Sequence, residues 1–162
     1  MANELTARAA LDPFGRTLYL DDLGDLVFDR NDEGLLDLRL SDGVANLGQG
    51  LRITVGTPLG TDIFNQFFGF DVLSILRAGY PLPMTKQLIR LHMVRTITSD
   101  DRVLRIEELV FDDEPRAAEL HPDADPDARR RLRKVTRRWQ LDAVIQPIAG
   151  RPVAVPVQVS GI

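Results

Sequence analysis

Apolar residues recur along this chain with two different periods, and the changes between them mark its elements. Over residues 16–40 the period is two. Leu18 and Leu20 flank Tyr19, Leu26 and Phe28 flank Val27, and Leu36, Leu38 and Leu40 alternate with Asp37 and Arg39. Alternation puts one set of side chains on one face of a strand. Asp22-Leu23-Gly24-Asp25 and Asn31-Asp32-Glu33-Gly34 supply turn residues between the runs. This region predicts a small antiparallel meander or a pair of hairpins, preceded by a loosely held arm that ends in an Asp-Pro-Phe-Gly turn.

Residues 42–56 pull two ways. Val44, Leu47, Leu51 and Val55 fall on one helical face and Asp42 stands where a cap belongs, whereas Gly48, Gly50, Ile53 and Val55 are poor helix formers. Spacing favours helix and propensity favours strand; the helix is the reading adopted. Thr57-Pro58-Leu59-Gly60 then predicts a turn, proline fixing one φ and glycine free to take a positive one. Ile63, Phe64, Phe67, Phe68 and Phe70 follow as the densest aromatic patch. Apolar side chains crowded around a glycine bend are expected to be core, with Gly69 letting the backbone pass close under a neighbour. Asp71 is placed to cap a short helix that Gly79-Tyr80-Pro81 ends.

From about Met84 to Thr98 the period returns to helical, with Leu88, Leu91, Met93, Val94 and Ile97 on a broad apolar side. After Ser99-Asp100-Asp101 the run Val103–Phe111 reads as a strand, with Leu104, Ile106 and Val110 on one face and Leu109 and Phe111 on the other. Residues 112–127 are acidic and broken by proline, and read as a loop. A long strand is expected over residues 129–148, its odd positions Val135, Trp139, Leu141, Ala143 and Ile145 facing inward. Ala149-Gly150-Arg151-Pro152 turns it back into Val153, Val155, Val157 and Val159, a second alternating strand. That pair is a C-terminal β-hairpin.

Composition narrows the chemistry. The 162 residues are 44% apolar and 27% charged with a net charge of -4, which suits one globular domain and gives no global attraction to nucleic acid or membrane. With no cysteine, disulfides, thiolate nucleophiles and cysteine metal sites are excluded. The N-terminus lacks the pattern of a signal peptide and no apolar run approaches a membrane span, so synthesis in the cytoplasm is the expectation. Neither phosphate-binding glycine motif occurs. Glu107 and Glu108 are adjacent on a strand and point to opposite faces, so they cannot flank one bond. Asp100 and Asp101 are explained by turn chemistry. His92 and His121 have no convergent carboxylates implied by spacing, so no metal site is expected, nor any cofactor or catalytic residue.

The sharpest charge feature is a pair of blocks. Asp112, Asp113, Glu114, Glu119, Asp123, Asp125 and Asp127 precede Arg129, Arg130, Arg131, Arg133, Lys134, Arg137 and Arg138. The basic block could grip phosphates, neutralise the acidic block beside it, or set register between subunits.

The order of motifs in residues 44–159 resembles the small baseplate wedge subunit of contractile phage tails and contractile injection systems, a family also labelled lysozyme-like. The residues that carry the resemblance are Leu51 to Thr57 with Gly60, Phe68-Gly69 with Leu73, and the helix bearing Ile89, Arg90 and Ile97. Asp100-Asp101-Arg102 falls where that family has Glu-Pro-Arg; the chain's own Glu114-Pro115-Arg116 follows the strand instead, and on position the clamp role goes to Arg102. The resemblance implies a non-enzymatic structural role in the inner baseplate, with Asp100, Asp101 and Arg102 facing wedge proteins and Thr57, Gly60 and Gly69 shaping the turn. It also implies that Val153, Val155, Val157 and Val159 form an edge strand on which sheath assembly starts by strand sharing. Partners would be wedge proteins and sheath subunits, with tube or hub proteins as further candidates, in a symmetric phage tail or extracellular particle. The alternative is a nucleic-acid or polyanion-binding module using residues 129–138.

The expected fold is therefore α+β, with two to three helices packed on a small mixed or antiparallel sheet that ends in the hairpin. Residues 1–43 form an arm and β-meander extension, and residues 44–162 the wedge-like domain with a charged insertion at 112–134.

Overall fold

The computed structural model describes residues 12–21, 23–123, 125, 127, 131 and 138–160. The fold is α+β, and the chain divides into two compact units, Met1–Gly50 and Leu51–Ile162.

The first unit contains the expected short antiparallel strands. Strand β1 (Arg16–Leu18) pairs antiparallel with β4 (Leu40–Asp42), and β2 (Phe28–Arg30) with β3 (Leu36–Leu38). Asn31 closes the turn between β2 and β3, its side-chain oxygen accepting from the amides of Glu33 and Leu35. Helix α1 (Gly43–Gly56) begins in this unit. Leu47, Leu51 and Val55 are buried at a spacing of four, so apolar spacing prevailed over the poor propensity of its glycines.

Polar groups tie α1 to β1. Asn46 donates to the Phe14 carbonyl at 2.9 Å and accepts from the Thr17 hydroxyl. The Gln49 amide donates to the Leu18 carbonyl at 2.8 Å and accepts from the Leu20 amide at 2.9 Å. Gln49 thereby takes the place of a neighbouring strand residue along β1. Asn46 and Gln49 are both buried, and their partners satisfy the groups that burial strips of water.

In the second unit the loop after α1 leads to α2 (Val72–Arg77) and α3 (Leu82–Thr98). Asp71 caps α2 as expected, accepting from the Ser74 amide. Helix α3 buries Thr85, Ile89, Met93 and Ile97, a stripe narrower than its composition predicted, and Leu91 and Val94 stay exposed. Strands β5 (Val103–Phe111), β6 (Arg138–Pro147) and β7 (Val153–Ser160) form an antiparallel sheet in that order, the last two making the terminal hairpin. Leu141, Ala143, Ile145, Val155, Val157 and Val159 are buried, and each large apolar side chain so buried is worth about 1.5–3 kcal/mol.

Four expectations are corrected. Residues 112–127 are not all loop: α4 (Pro115–Leu120) starts on a proline at its first position, where the missing N–H costs nothing. Of the strand expected from residue 129, the structure shows Arg138–Pro147, and Arg131 has helical backbone; residues 129–130 and 132–137 lie outside the described residues. The faces of β5 are not the simple alternation predicted, because register shifts fall between Val103 and Arg105 and between Ile106 and Glu108. Ile106 opposes Ile145 and so shares a face with Leu109 and Phe111, not with Val110. Finally, the aromatic patch is only partly core: Phe70 is buried, while Ile63, Phe64 and Phe67 are exposed at 80%, 94% and 94%. Most of the basic block lies outside the described residues.

Candidate functional site

The three groups of residues singled out by sequence occupy three places in the second unit. The first is the stop after α3. Asp100 accepts from the Arg102 amide at 3.0 Å, and its two oxygens take the Arg102 Nε and one terminal nitrogen at 2.9 and 2.7 Å. This bidentate pair is the strong geometry for guanidinium and carboxylate. The Arg102 guanidinium holds the Asp100 carboxyl below the usual carboxylate range, against the desolvation that opposes it. Asp100 in turn raises Arg102. The backbone carbonyls of this stop are used as well: Val103 donates to Asp100 and Ile148 to Arg102, which ties the stop to the hairpin. Asp101 is exposed. Arg102 is thus not an empty fork, since its own chain provides a carboxylate two residues away.

The second place is the loop from Thr57 to Phe70. A turn closed by the Thr61 amide on the Pro58 carbonyl puts Gly60 at a φ of 80°. The loop's ends are joined by the Phe70 amide on the Thr57 carbonyl at 2.8 Å and the Leu59 amide on the Phe70 carbonyl at 3.1 Å. Gly69 has a φ of 112°, and a Cβ there would lie 2.5 Å from the Thr57 oxygen. The close backbone approach expected at Gly69 is therefore present, and backbone, not a packed side chain, is what it approaches.

The third place is the sheet edge. Val155, Val157 and Val159 are buried and Val153 is half-buried, so these side chains serve the core. Their backbone groups are not the free ones either. In an antiparallel sheet the N–H and C=O of one residue point to the same side, and sides alternate along the strand. The Gln140 carbonyl accepts from the Asp112 amide, so Gln140 faces β5. The β6–β7 register runs unbroken from Arg138 opposite Ser160 to Ile145 opposite Val153. Asp142 then also faces β5, while Leu141 and Ala143 face β7. Pro156, opposite Asp142, has its nitrogen turned away from the ladder, where the absent N–H removes no bond. The backbone groups on the outer rim of β7 belong to Ala154, Pro156, Gln158 and Ser160, the first three of which are exposed. This corrects the assignment of the rim to the four valines. No strand pairs with that rim among the described residues.

Two features went unread in the sequence. His121, just after α4, reaches Asp142 with Nε2 2.9 Å from a carboxylate oxygen, and Asp142 is only 2% exposed. Asp142 looked like an outward position in an alternating strand, but α4 lies against β5 on that face and Ala117 and Val110 are buried there. The acidic residues after β5 pair with α3: Lys86 lies 2.6 Å from Asp113, and Arg90 bonds Glu114. Both cations also stand over the Phe111 ring, at 4.9 and 5.0 Å from its centroid. Glu114-Pro115-Arg116 is thus part of a structural seam, Glu114 also accepting from the Phe111 amide and Arg116 bonding both Glu108 and Glu119.

Among the described residues no group of acidic and histidine side chains converges to hold a metal, and no helix is long and apolar enough to cross a membrane. Comparison with protein-family models and with curated proteins gave no match.

Proposed function

We propose that this chain is a structural baseplate component of a contractile phage tail or injection particle, at which the sheath is anchored and its assembly begins. The observation that carries this reading is the outer rim of β7. It presents four carbonyls, of Ala154, Pro156, Gln158 and Ser160, and three amides, of Ala154, Gln158 and Ser160, to a strand from another chain. An open edge accepts a guest strand through main-chain bonds, and the proline removes one of them. The rim is therefore suited to a strand that pairs at Ala154 and Gln158 and tolerates a gap between.

In this reading the sheath subunit supplies that strand, and the wedge proteins dock at the stop after α3. Asp101 is the residue there with its carboxylate exposed. A wedge carboxylate engages Arg102 only by displacing Asp100 from it. The motif order of residues 44–159 supports the same reading, in which the protein works within an assembled tail or extracellular particle.

Removing the whole hairpin would destroy the core, because three of its valines are buried. A sharper test replaces both Ala154 and Gln158 by proline. This deletes two of the three outward amides and leaves the ladder to β6 intact. Particles assembled with A154P/Q158P are expected to have tubes without sheath by negative-stain microscopy, while the isolated protein keeps its far-UV circular dichroism spectrum. Sheathed particles at the wild-type frequency would refute the role.

A further inference from the structure

The loop between Thr57 and Phe70 presents the most exposed large apolar side chains of the second unit, and it is held in place while doing so. Asp62 accepts from the amides of Phe64 and Asn65, Asn65 accepts from the Phe67 amide, and the Asn65 carbonyl accepts from the Phe68 amide. With the two backbone bonds at its base, the loop is closed and braced without help from Ile63, Phe64 or Phe67. Those three side chains are not needed for its shape. Together they offer roughly 500 Å² of apolar surface, near the upper limit for the largest patch on a monomer and over half of what one partner gives a standard interface. A surface already ordered loses little freedom when it is covered.

A cavity of about 540 Å³ adjoins this loop, lined by Phe67, Phe68 and Leu59 on one side and by His92, Arg95 and Asp100 on the other. Its charges are unevenly used. Asp100 is held by Arg102, and Asp71, also on the wall, caps α2. The Arg95 guanidinium has no hydrogen bond or ion pair among the described residues, the residue's carbonyl alone accepting from the Thr98 hydroxyl. An unpaired guanidinium beside an apolar patch is completed by a carboxylate, which can take it bidentately.

We propose that the loop from Thr57 to Phe70, with Arg95, is a docking surface for a segment of a partner protein in which an aspartate or glutamate lies between large apolar side chains. The apolar residues cover Phe64 and Phe67, and the carboxylate enters the cavity to meet Arg95. A second copy of this chain is a poorer occupant, because the cavity carboxylates Asp71 and Asp100 are already engaged and neither is free for the other copy's Arg95. This inference goes beyond the baseplate reading and does not depend on it.

The test selects a library of random peptides about twelve residues long, displayed on phage, against the full chain. Counter-selection uses the variant F64S/F67S, whose changes lie at exposed positions and are expected to leave the melting temperature unchanged. Enriched peptides are expected to carry an acidic residue flanked by large apolar ones. Their affinity should fall about tenfold or more in F64S/F67S and in R95E. Selection against R95E should instead enrich peptides bearing lysine or arginine. The proposal is overturned if no peptide is enriched, if enriched peptides lack the acidic residue, or if they bind the variants as well as the wild type. It is also overturned if sedimentation shows a dimer that F64S/F67S dissociates, or if the chain binds anionic phospholipid vesicles through these phenylalanines instead.

Discussion

Gly69→Ala sets an added side chain against the tightest backbone approach in the loop from Thr57 to Phe70. The φ of 112° is one that side-chain-bearing residues avoid, and holding alanine there costs about 1–3 kcal/mol. The added Cβ would also lie 2.5 Å from the Thr57 carbonyl oxygen and 3.0 Å from both the Leu59 nitrogen and the Pro58 carbonyl carbon. All three neighbours are backbone, so no side chain can swing aside. Relief requires parting Thr57 from Phe70, and the hydrogen bond of 2.8 Å that the Phe70 amide donates to the Thr57 carbonyl is worth about 1 kcal/mol. The combined loss is about 3 kcal/mol, or a fall of roughly 6–12 °C in Tm for a chain of this size. Gly79→Ala is the comparison, because its φ is 67° and nothing lies within 4 Å of the added carbon, leaving only a conformational cost of about 1 kcal/mol. Urea unfolding of both variants measures the difference. If Gly69→Ala costs no more than Gly79→Ala, the close approach at the loop base is not what fixes the glycine, and the argument fails.

Two further outcomes can be checked on the isolated protein. His121→Ala removes the imidazole that stands 2.9 Å from the buried Asp142 carboxyl group, and is expected to cost about 1–3 kcal/mol in urea unfolding by leaving that polar group without a neighbour; a loss below about 0.5 kcal/mol for His121→Ala would show that the contact contributes little. Arg102→Ala bears on acid stability. The Asp100 carboxyl is depressed in the folded state, so the stability it contributes is present above the unfolded carboxylate value near pH 4 and is lost as pH falls through the depressed value. Wild type should therefore lose stability more steeply than Arg102→Ala between about pH 5 and pH 2, while the variant costs below about 1 kcal/mol at pH 7, where solvent screens this partly exposed pair. Parallel curves would contradict the sign.

Much of the architecture could be read from side-chain period. Leu47, Leu51 and Val55 declared α1 despite its glycines, and the odd-numbered valines declared the last strand, because burial of a face outweighs local propensity. What stayed hidden depended on neighbours remote in sequence. Asp142 has the pattern of an outward residue, and only the packing of α4 over that face buries it. The bulges in β5 exchange the faces of Ile106 and its neighbours without any glycine or proline to mark them. Helix α4 did have a legible signal in Pro115 after Glu114, which the surrounding acidic residues obscured. In the aromatic loop, composition could not separate the buried Phe70 from the exposed Phe64 and Phe67. The spacing of Asp62 and Asn65 before those exposed residues was the available clue. For the sheet edge the strand was identified correctly, but the rim residues were displaced by one, because side-chain alternation does not reveal which backbone groups face a neighbour.

The way Asn46 and Gln49 fasten α1 to β1 has a thermodynamic consequence. These contacts join polar groups, and Leu18, Leu26, Leu36 and Leu40 of the same unit remain exposed, so parting β1 from α1 uncovers little additional hydrocarbon. That parting should carry a small heat-capacity increment and an opening free energy that bends only slightly with temperature. In amide hydrogen exchange the unit should behave as its own foldon, opening well before the sheet beneath α3 gives way.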